Sequence, residues 1–276
     1  MIFKFKILYV ILALFLFSCE VSNAAQTKQV NRYPGNEQTE QAPSSASEEQ
    51  ETPETGEPGR PTTTAAPEEE DVYIPVYEIN PKFAELLKIN TDVVGNVRVP
   101  GTLINFPVLY SGDNEYYLRR DIYGADTKYG SVFMDGFNHG SVLDKNTVIH
   151  GHNFNEPHRG IHDNNMFADL EKFKDKEFFD ANKTVVFDNL YSNMEWEVFS
   201  VYVTSEEDYY IYTSFASDRD FINFAEYVKS RSMFESAYLP KAGDHMLTLH
   251  TCSYEFTGAH TLVHARLVKK TDNLRK

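Results

Sequence analysis

Residues 246–252 have the sequence Met-Leu-Thr-Leu-His-Thr-Cys, in which apolar and polar side chains largely alternate. This alternation predicts a β-strand, because successive side chains of a strand point to opposite faces of the sheet. Cys252 then lies at the end of the strand, on the same face as His250. We therefore expect the thiol at the rim of a sheet, in a position exposed enough to react.

A second strand ends in a similar way at residues 148–153, which have the sequence Val-Ile-His-Gly-His-Asn. This strand passes through Gly151 onto His152, and 100 residues separate His152 from Cys252. An imidazole near a thiol either takes its proton or pairs with the thiolate, and both arrangements activate cysteine as a nucleophile. We expect the two strand ends to meet across the rim of one fold.

Most of the remaining sequence also predicts short strands. The β-rich segments are 93–99, 106–110, 130–134, 147–150, 184–188, 196–204, 246–252 and 261–268. Helices are predicted to begin at Pro81 and to cover 165–173 and 218–230. Many short strands with few helices predict a mainly β fold, either a closed barrel or a sandwich.

Residues 1–24 have the pattern of an export signal, with Lys4 and Lys6 before an apolar run at 7–17. The run is short for a membrane-spanning helix. Residues 16–19, Leu-Phe-Ser-Cys, resemble a lipobox in which Cys19 is lipidated. An uncleaved anchor and cleavage after Ala24 or Ala25 are the alternatives. Each predicts export, and we expect the protein at the extracellular face of a bacterial membrane, attached by its N-terminal segment or by lipidation.

Residues 25–71 predict a disordered tether, because they are rich in Pro, Thr, Ser and Glu and have few large apolar side chains. Eleven acids and the single base Arg60 between residues 37 and 71 contribute −10 of the formal charge of −15. An acidic chain without Lys/Arg clusters excludes nucleic acid as a partner. The folded domain is predicted to cover 72–276.

The strand-end segments resemble sortases, specifically those of class B. Thr248-Leu-His-Thr-Cys252 resembles the family's Thr-Leu-x-Thr-Cys signature, and residues 149–153 resemble its Gly-His-Asn turn. The resemblance covers 77–270 in order, with further matches at 94–95, 100–102, 106–108, 113–114, 117–118, 132–135 and 252–256.

This resemblance implies an eight-stranded sortase-type barrel with a short N-terminal helix and peripheral helices. It implies a transpeptidase that cleaves a Pro-x-Thr-Gly-like sorting signal after Thr. Cys252 would form the thioacyl enzyme, and His152 would transfer protons. The implied partners are sorting-signal peptides of secreted surface proteins and an amino acceptor of peptidoglycan or a pilin, with the membrane reached through the N-terminus and no cofactor. The expected substrate contacts are Asn114, His250, Thr251 and Tyr254.

The chain departs from the family at one catalytic position. Sortases carry an arginine on the last strand, and His260 occupies that position here. Arg266 is a weaker candidate, because six residues of strand span about 20 Å. A histidine donates best to an oxyanion when it is protonated. With a pKa of about 6.5, only a minority of the His260 side chains would be cationic at pH 7. We therefore predict an enzyme that is slow at pH 7 or favours mild acid.

Three alternatives stay open at this point. A non-catalytic relative would bind sorting signals or wall peptides, which the missing arginine favours. A zinc or copper site would use imidazoles and a thiolate, with His150, His250 and His264 as further candidate ligands. A papain-like hydrolase is less favoured, because Cys252 does not begin a helix. Separately, Thr52-Pro-Glu-Thr-Gly56 has the Pro-x-Thr-Gly form and is either a built-in competitor or a chance occurrence in the tether.

Overall fold

The computed structural model describes residues 75–140, 142–163, 165–205, 208 and 211–275. In these residues eight strands form a closed barrel in the order β1-β2-β3-β4-β7-β8-β6-β5. The strands are β1 Val93–Arg98, β2 Asn105–Leu109, β3 Phe133–Met134, β4 Asn146–His150, β5 Thr184–Asn189, β6 Ser192–Ser205, β7 Met246–Ser253 and β8 Ala259–Asp272. The mainly β, eight-stranded barrel is confirmed.

The described residues contain three α-helices, which are α1 Ala84–Ile89, α2 Lys176–Ala181 and α3 Asp218–Ser230. They also contain 3₁₀-helices at Pro81–Phe83, Tyr116–Leu118, Pro157–Arg159 and Ala168–Lys174. None of the helices in this part of the chain is long and apolar enough to cross a membrane. The predicted export signal with Cys19, the tether and the Thr52–Gly56 segment lie outside the described residues.

One predicted helix was wrong in type and bounds, and one helix was missed. The helix predicted at 165–173 is instead a 3₁₀-helix at Ala168–Lys174. Helix α2, which follows it, was not predicted. Its N-cap is Asp175, whose side chain accepts a hydrogen bond from the Phe178 amide at 2.8 Å. Such a cap begins a new helix and explains the break.

The barrel wall is buried on both of its faces around β7 and β8. Odd-numbered side chains such as Leu249 and Val263 join the core inside the barrel, around Trp196. Even-numbered side chains such as Met246 and Leu262 join a second core beneath α3. His250, Cys252 and His260 therefore lie on the outer face of the wall, the face that α3 partly covers.

Strand pairing brings three strand ends together. Strands β4 and β7 are parallel, with His150 opposite His250. Strands β7 and β8 are antiparallel, with Cys252 opposite His260. Because parallel strands end at the same edge of a sheet, β4 and β7 leave the wall side by side.

Candidate active site

Cys252 and His152 lie at the same level on neighbouring strands. The Gly151 amide donates to the His250 carbonyl at 3.1 Å, so the pairing of β4 with β7 continues beyond His150. His152 thereby comes level with Cys252. The relative exposure is 8% for His152 and 9% for Cys252. Both residues are therefore largely buried but keep a small solvent-accessible area. The strand ends meet as the sequence predicted.

Gly151 allows the turn that presents His152. A Cβ at this position would lie 2.6 Å from a ring carbon of Phe167, closer than side-chain carbons approach. The Phe167 amide also donates to the His152 carbonyl at 2.9 Å. Because Gly151 has no side chain, the buried ring of Phe167 can pack directly against the backbone of the turn.

The tautomer of His152 follows from its contact with the carbonyl of Leu118. Nε2 of His152 lies 2.9 Å from this carbonyl oxygen and must donate to it, so Nδ1 is the basic nitrogen. Burial lowers the pKa of His152, the bond to Leu118 opposes this shift, and the charge of Arg119 adds to it. His152 is therefore a neutral base at pH 7, ready to accept a proton.

Two of the predicted substrate contacts, Thr251 and Tyr254, make hydrogen bonds within the site. The Thr251 hydroxyl donates to the Gly151 carbonyl at 2.6 Å. The Tyr254 hydroxyl donates to the Asn153 carbonyl, and Asn153 Nδ2 donates to the Cys252 carbonyl at 3.0 Å. Burial, with the nearby acids Glu156 and Glu171, raises the pKa of Tyr254 to about 12, which keeps the hydroxyl protonated as a donor. Sequence reasoning gave Asn153 no role of its own.

Asn114, a third predicted substrate contact, is buried against Asp135. Asn114 Nδ2 donates to Asp135 Oδ2 at 3.0 Å, and Asn114 Oδ1 accepts from the Gly136 amide at 2.7 Å. Asp135 is fully buried and also contacts His150. Sequence reasoning assigned no role to Asp135, although an acid directly after an apolar strand was a signal that could have identified it.

Three of the predicted histidines touch one another. His150 Nδ1 lies 2.7 Å from His250 Nδ1, and His250 Nε2 lies 2.9 Å from His260 Nδ1. His264 is elsewhere on the same face, with Nδ1 2.9 Å from the Thr248 hydroxyl and its ring stacked on Tyr202. Within the described ranges, no group of three or more His, Cys, Asp or Glu side chains is arranged to hold a metal ion.

Comparison with known proteins identifies the family. A family model described as a sortase domain matches residues 97–271. The chain belongs to the sortase family. It is 36% identical over 195 residues to sortase B of Listeria monocytogenes, covering 70% of this chain and 76% of the relative. It is 35% identical over 193 residues to sortase B of Staphylococcus aureus, covering 69% and 76%.

A solved structure gives the same result for the fold. The structure of a Staphylococcus aureus sortase B–substrate complex matches with a TM-score of 0.63 and 35% identity, covering 69% of this chain and 86% of that one. The fold of this chain therefore matches that of a sortase B of known structure, and the resemblance to class B is confirmed.

In this sortase, Arg266 lies at the other end of β8 from the site. It is opposite Met246, and its Nη2 lies 2.8 Å from Glu197 Oε2. His260 is the side chain across from Cys252, but burial, with a smaller contribution from His150, lowers its pKa to about 4. His260 therefore does not become cationic by itself in mild acid. The sequence-based expectation used the solvent pKa because burial is not visible in a sequence.

Proposed function

We propose that this sortase is a cysteine transpeptidase that cleaves Pro-x-Thr-Gly-like sorting signals after Thr and transfers the acyl group to an amine of the cell wall or of a pilin. One observation carries the proposal: Cys252 lies level with His152 at the parallel β4 and β7 ends and directly across from His260. The nucleophile, the base and a donor thus come from three adjacent strand ends.

The arrangement supports a two-step reaction. His152 Nδ1 takes the thiol proton as Cys252 Sγ attacks the Thr carbonyl carbon. The carbon–nitrogen bond to Gly then breaks, and His152 returns the proton to the leaving amine. In the second step the incoming amine gives a proton to His152 and attacks the thioester. The carbon–sulfur bond breaks, and Cys252 leaves as a thiolate that takes the proton from His152. His152 is suited to both directions because it is neutral at rest.

His260 is proposed to donate to the oxyanion in place of the family's arginine. A missing oxyanion donor typically lowers kcat about 10²–10³-fold. Because its pKa is about 4, His260 does not supply a positive charge of its own near pH 7. We therefore expect a slow enzyme relative to a variant with arginine at this position.

The proposed setting is the outer face of a bacterial membrane. Residues 1–24 would export the protein and attach it through the N-terminal segment or through Cys19, and residues 25–71 would carry the barrel into the cell wall. The substrates would be exported proteins with sorting signals, which are present in the same compartment.

The test uses a quenched fluorescent Pro-x-Thr-Gly peptide and an amine, with a thiol reductant because the reaction needs Cys252 as a thiol. We expect cleavage after Thr that Cys252→Ala abolishes, that His152→Gln lowers by about 10²-fold or more, and that His260→Arg increases. His139→Gln is the matched control, since its side chain is 69% exposed and it pairs with Asp144 away from these strand ends.

A second candidate function is a binding module for the same signals, favoured by His260 in the arginine position. It predicts peptide binding without turnover in the wild type and unchanged binding in Cys252→Ala. That result would overturn the transpeptidase proposal. Cleavage that persists in Cys252→Ala would contradict both functions.

A further inference from the structure

A continuous line of hydrogen bonds runs through the outer face of the barrel wall. It begins at Asp135, whose Oδ2 lies 2.9 Å from His150 Nε2. It continues through the 2.7 Å contact between His150 and His250 and the 2.9 Å contact between His250 and His260. All four side chains are at most 3% exposed. The line therefore joins a buried carboxylate to the residue across from Cys252.

The carboxylate fixes the direction of these hydrogen bonds. Asp135 accepts, so His150 carries a proton on Nε2. When all three imidazoles are neutral, His150 Nδ1 must accept from His250 Nδ1, and His250 Nε2 must accept from His260 Nδ1. His260 then carries its proton on Nδ1, and its Nε2 is a lone pair. In this state His260 is an acceptor at Nε2.

One added proton reverses both bonds between imidazoles, while His150 Nε2 continues to donate to Asp135. A proton bound at His260 Nε2 releases the Nδ1 proton of His260 to His250 Nε2, and His250 releases its own Nδ1 proton to His150 Nδ1. The number of protons balances, because one enters at His260 and one more is held at His150. His150 is now the imidazolium, while His260 is neutral with a proton on Nε2. His260 thereby becomes a donor without being charged itself.

Electrostatics favour the charge at the Asp135 end. Asp135 accepts three hydrogen bonds, from Asn114 Nδ2 at 3.0 Å, from the Phe137 amide at 2.8 Å and from His150 at 2.9 Å. An imidazolium beside an ionised carboxylate is stabilised by Coulomb attraction. Burial lowers the pKa of His250 well below its ordinary value and that of His260 to about 4, so neither holds the charge well.

Other titratable groups face this line from each neighbouring element. Burial lowers the pKa of His250 most. The charges of His150, His260 and His152, which follows β4, lower it further. On β6, Thr204 lies opposite His260 and donates to Asp208 at 2.9 Å. Further groups are Cys252 on β7, His264 on β8 and Arg231, which pairs with Asp208. Tyr110, after β2, also senses Asp135, because burial and then the charges of Asp144 and Asp135 raise its pKa. Asp135 contacts an imidazole of the line directly, at His150 Nε2.

We propose that Asp135, His150 and His250 are positioning residues that form a proton relay, and that this relay sets whether His260 Nε2 accepts or donates beside Cys252. When the relay has taken up a proton, the positive charge lies on His150, and His260 is neutral with an N–H at Nε2. Its chemical consequence rests on the proposed function, in which His260 faces the oxyanion. The relay itself is a property of the resting protein.

The first test observes the imidazoles directly in the full chain, labelled with ¹⁵N in histidine, by NMR from about pH 5 to about pH 8. Wild type should show one shared step, in which His150 becomes doubly protonated while His250 and His260 move their protons from Nδ1 to Nε2. In Asp135→Asn the step should shift to lower pH, because the counter-charge is gone. His264→Gln, a buried histidine outside the line, should leave the step in place.

His250→Gln is the second variant, and it tests the relay if Asp135→Asn fails to fold. Glutamine keeps hydrogen bonds but cannot pass a proton, so His260 should no longer change tautomer when His150 is protonated. Independent titration of the three histidines in wild type, or a shared step that survives in His250→Gln, would overturn the relay.

The second test separates the relay from the proposed function. Asp135→Asn should lower kcat for peptide cleavage by about 10²-fold, the loss of one oxyanion donor, with KM little changed. In a His260→Arg background the same substitution should have little effect, because arginine is charged without the relay. An equal loss in both backgrounds contradicts the assigned role. A wild type that shows the shared NMR step but no cleavage would refute the transpeptidase and leave the relay intact.

Discussion

His150, His152 and His264 lie on or beside the same group of strands, yet their contacts give them different chemistry. His150 contacts a carboxylate, and His152 donates to a backbone carbonyl. His264 contacts the hydroxyls of Thr248 and Tyr202 and is completely buried. Burial without a carboxylate in contact lowers the pKa of His264 to about 3. At the residue scale, the neighbours of each imidazole therefore decide which hydrogen bonds it makes.

His264 should make the fold sensitive to acid. The unfolded chain protonates His264 near pH 6.5, whereas the folded protein does so only near pH 3. Unfolding thus takes up a proton between these values, and stability falls as the pH falls through this window. Between pH 7 and pH 5 this contributes about 2 kcal/mol. We expect His264→Gln to show a pH-dependent loss smaller by that amount in urea unfolding, and equal losses in both proteins would contradict the assignment.

Helix α3 is the element that covers the outer face of β7 and β8. Its N-cap Ser217 accepts from the Asp220 amide at 3.2 Å, and its apolar side chains recur at helical spacing. Phe221 and Phe224 pack into the second core with Met246 and Leu262. The helix thereby shields from water part of the face on which the candidate site lies.

Truncation of Phe224 should destabilise the domain strongly. Its side chain is fully buried, and Phe→Ala substitutions in cores cost about 3–5 kcal/mol. We expect Phe224→Ala to lower the free energy of unfolding in urea by an amount in this range. Glu226→Ala, on the exposed face of the same helix, is the control and should change it little. A cost for Phe224→Ala no larger than for the control would show that α3 is not part of the cooperative core.

At the scale of the whole molecule, the two ends of the described chain are joined. The Glu78 amide donates to the Asn273 carbonyl at 2.9 Å, and the Arg275 amide donates to the Val76 carbonyl at 2.8 Å. The Asn80 amide donates to the Leu190 carbonyl at 2.7 Å. The segment before α1 is therefore part of the barrel's support, in agreement with a domain that we propose to begin near residue 72.

This boundary predicts a difference between two truncations. A chain of residues 72–276 should unfold with the same free energy as the full chain. A chain of residues 81–276 loses these three backbone hydrogen bonds and should be less stable by about 3 kcal/mol, at roughly 0.5–1.5 kcal/mol for each bond. Urea unfolding of the three chains checks this. If the 72–276 chain were as unstable as the 81–276 chain, residues before 72 would have to belong to the fold.

Much of the fold was predictable because strand periodicity is a local property. Strand β7 and helix α3 were predicted almost to the residue, from alternation and from the spacing of Phe221, Phe224 and Val228. Strand β3 is shorter than predicted, at Phe133–Met134, and β6 and β8 are longer. These lengths depend on partners, since β6 and β8 extend each other by pairing from Ser192 with Asp272 to Ser205 with Ala259.

The sequence by itself predicted that Cys252 and His152 stand at strand ends, and its resemblance to sortases implied that His260 takes the place of the family's arginine. Only the tertiary structure decided that His150, His250 and His260 touch, that His264 does not join them, and that Asp135 terminates the line. The physical reason is that periodicity fixes the face of each side chain along one strand. Contacts between strands 100 residues apart, and the burial that shifts a pKa, arise only when the barrel closes.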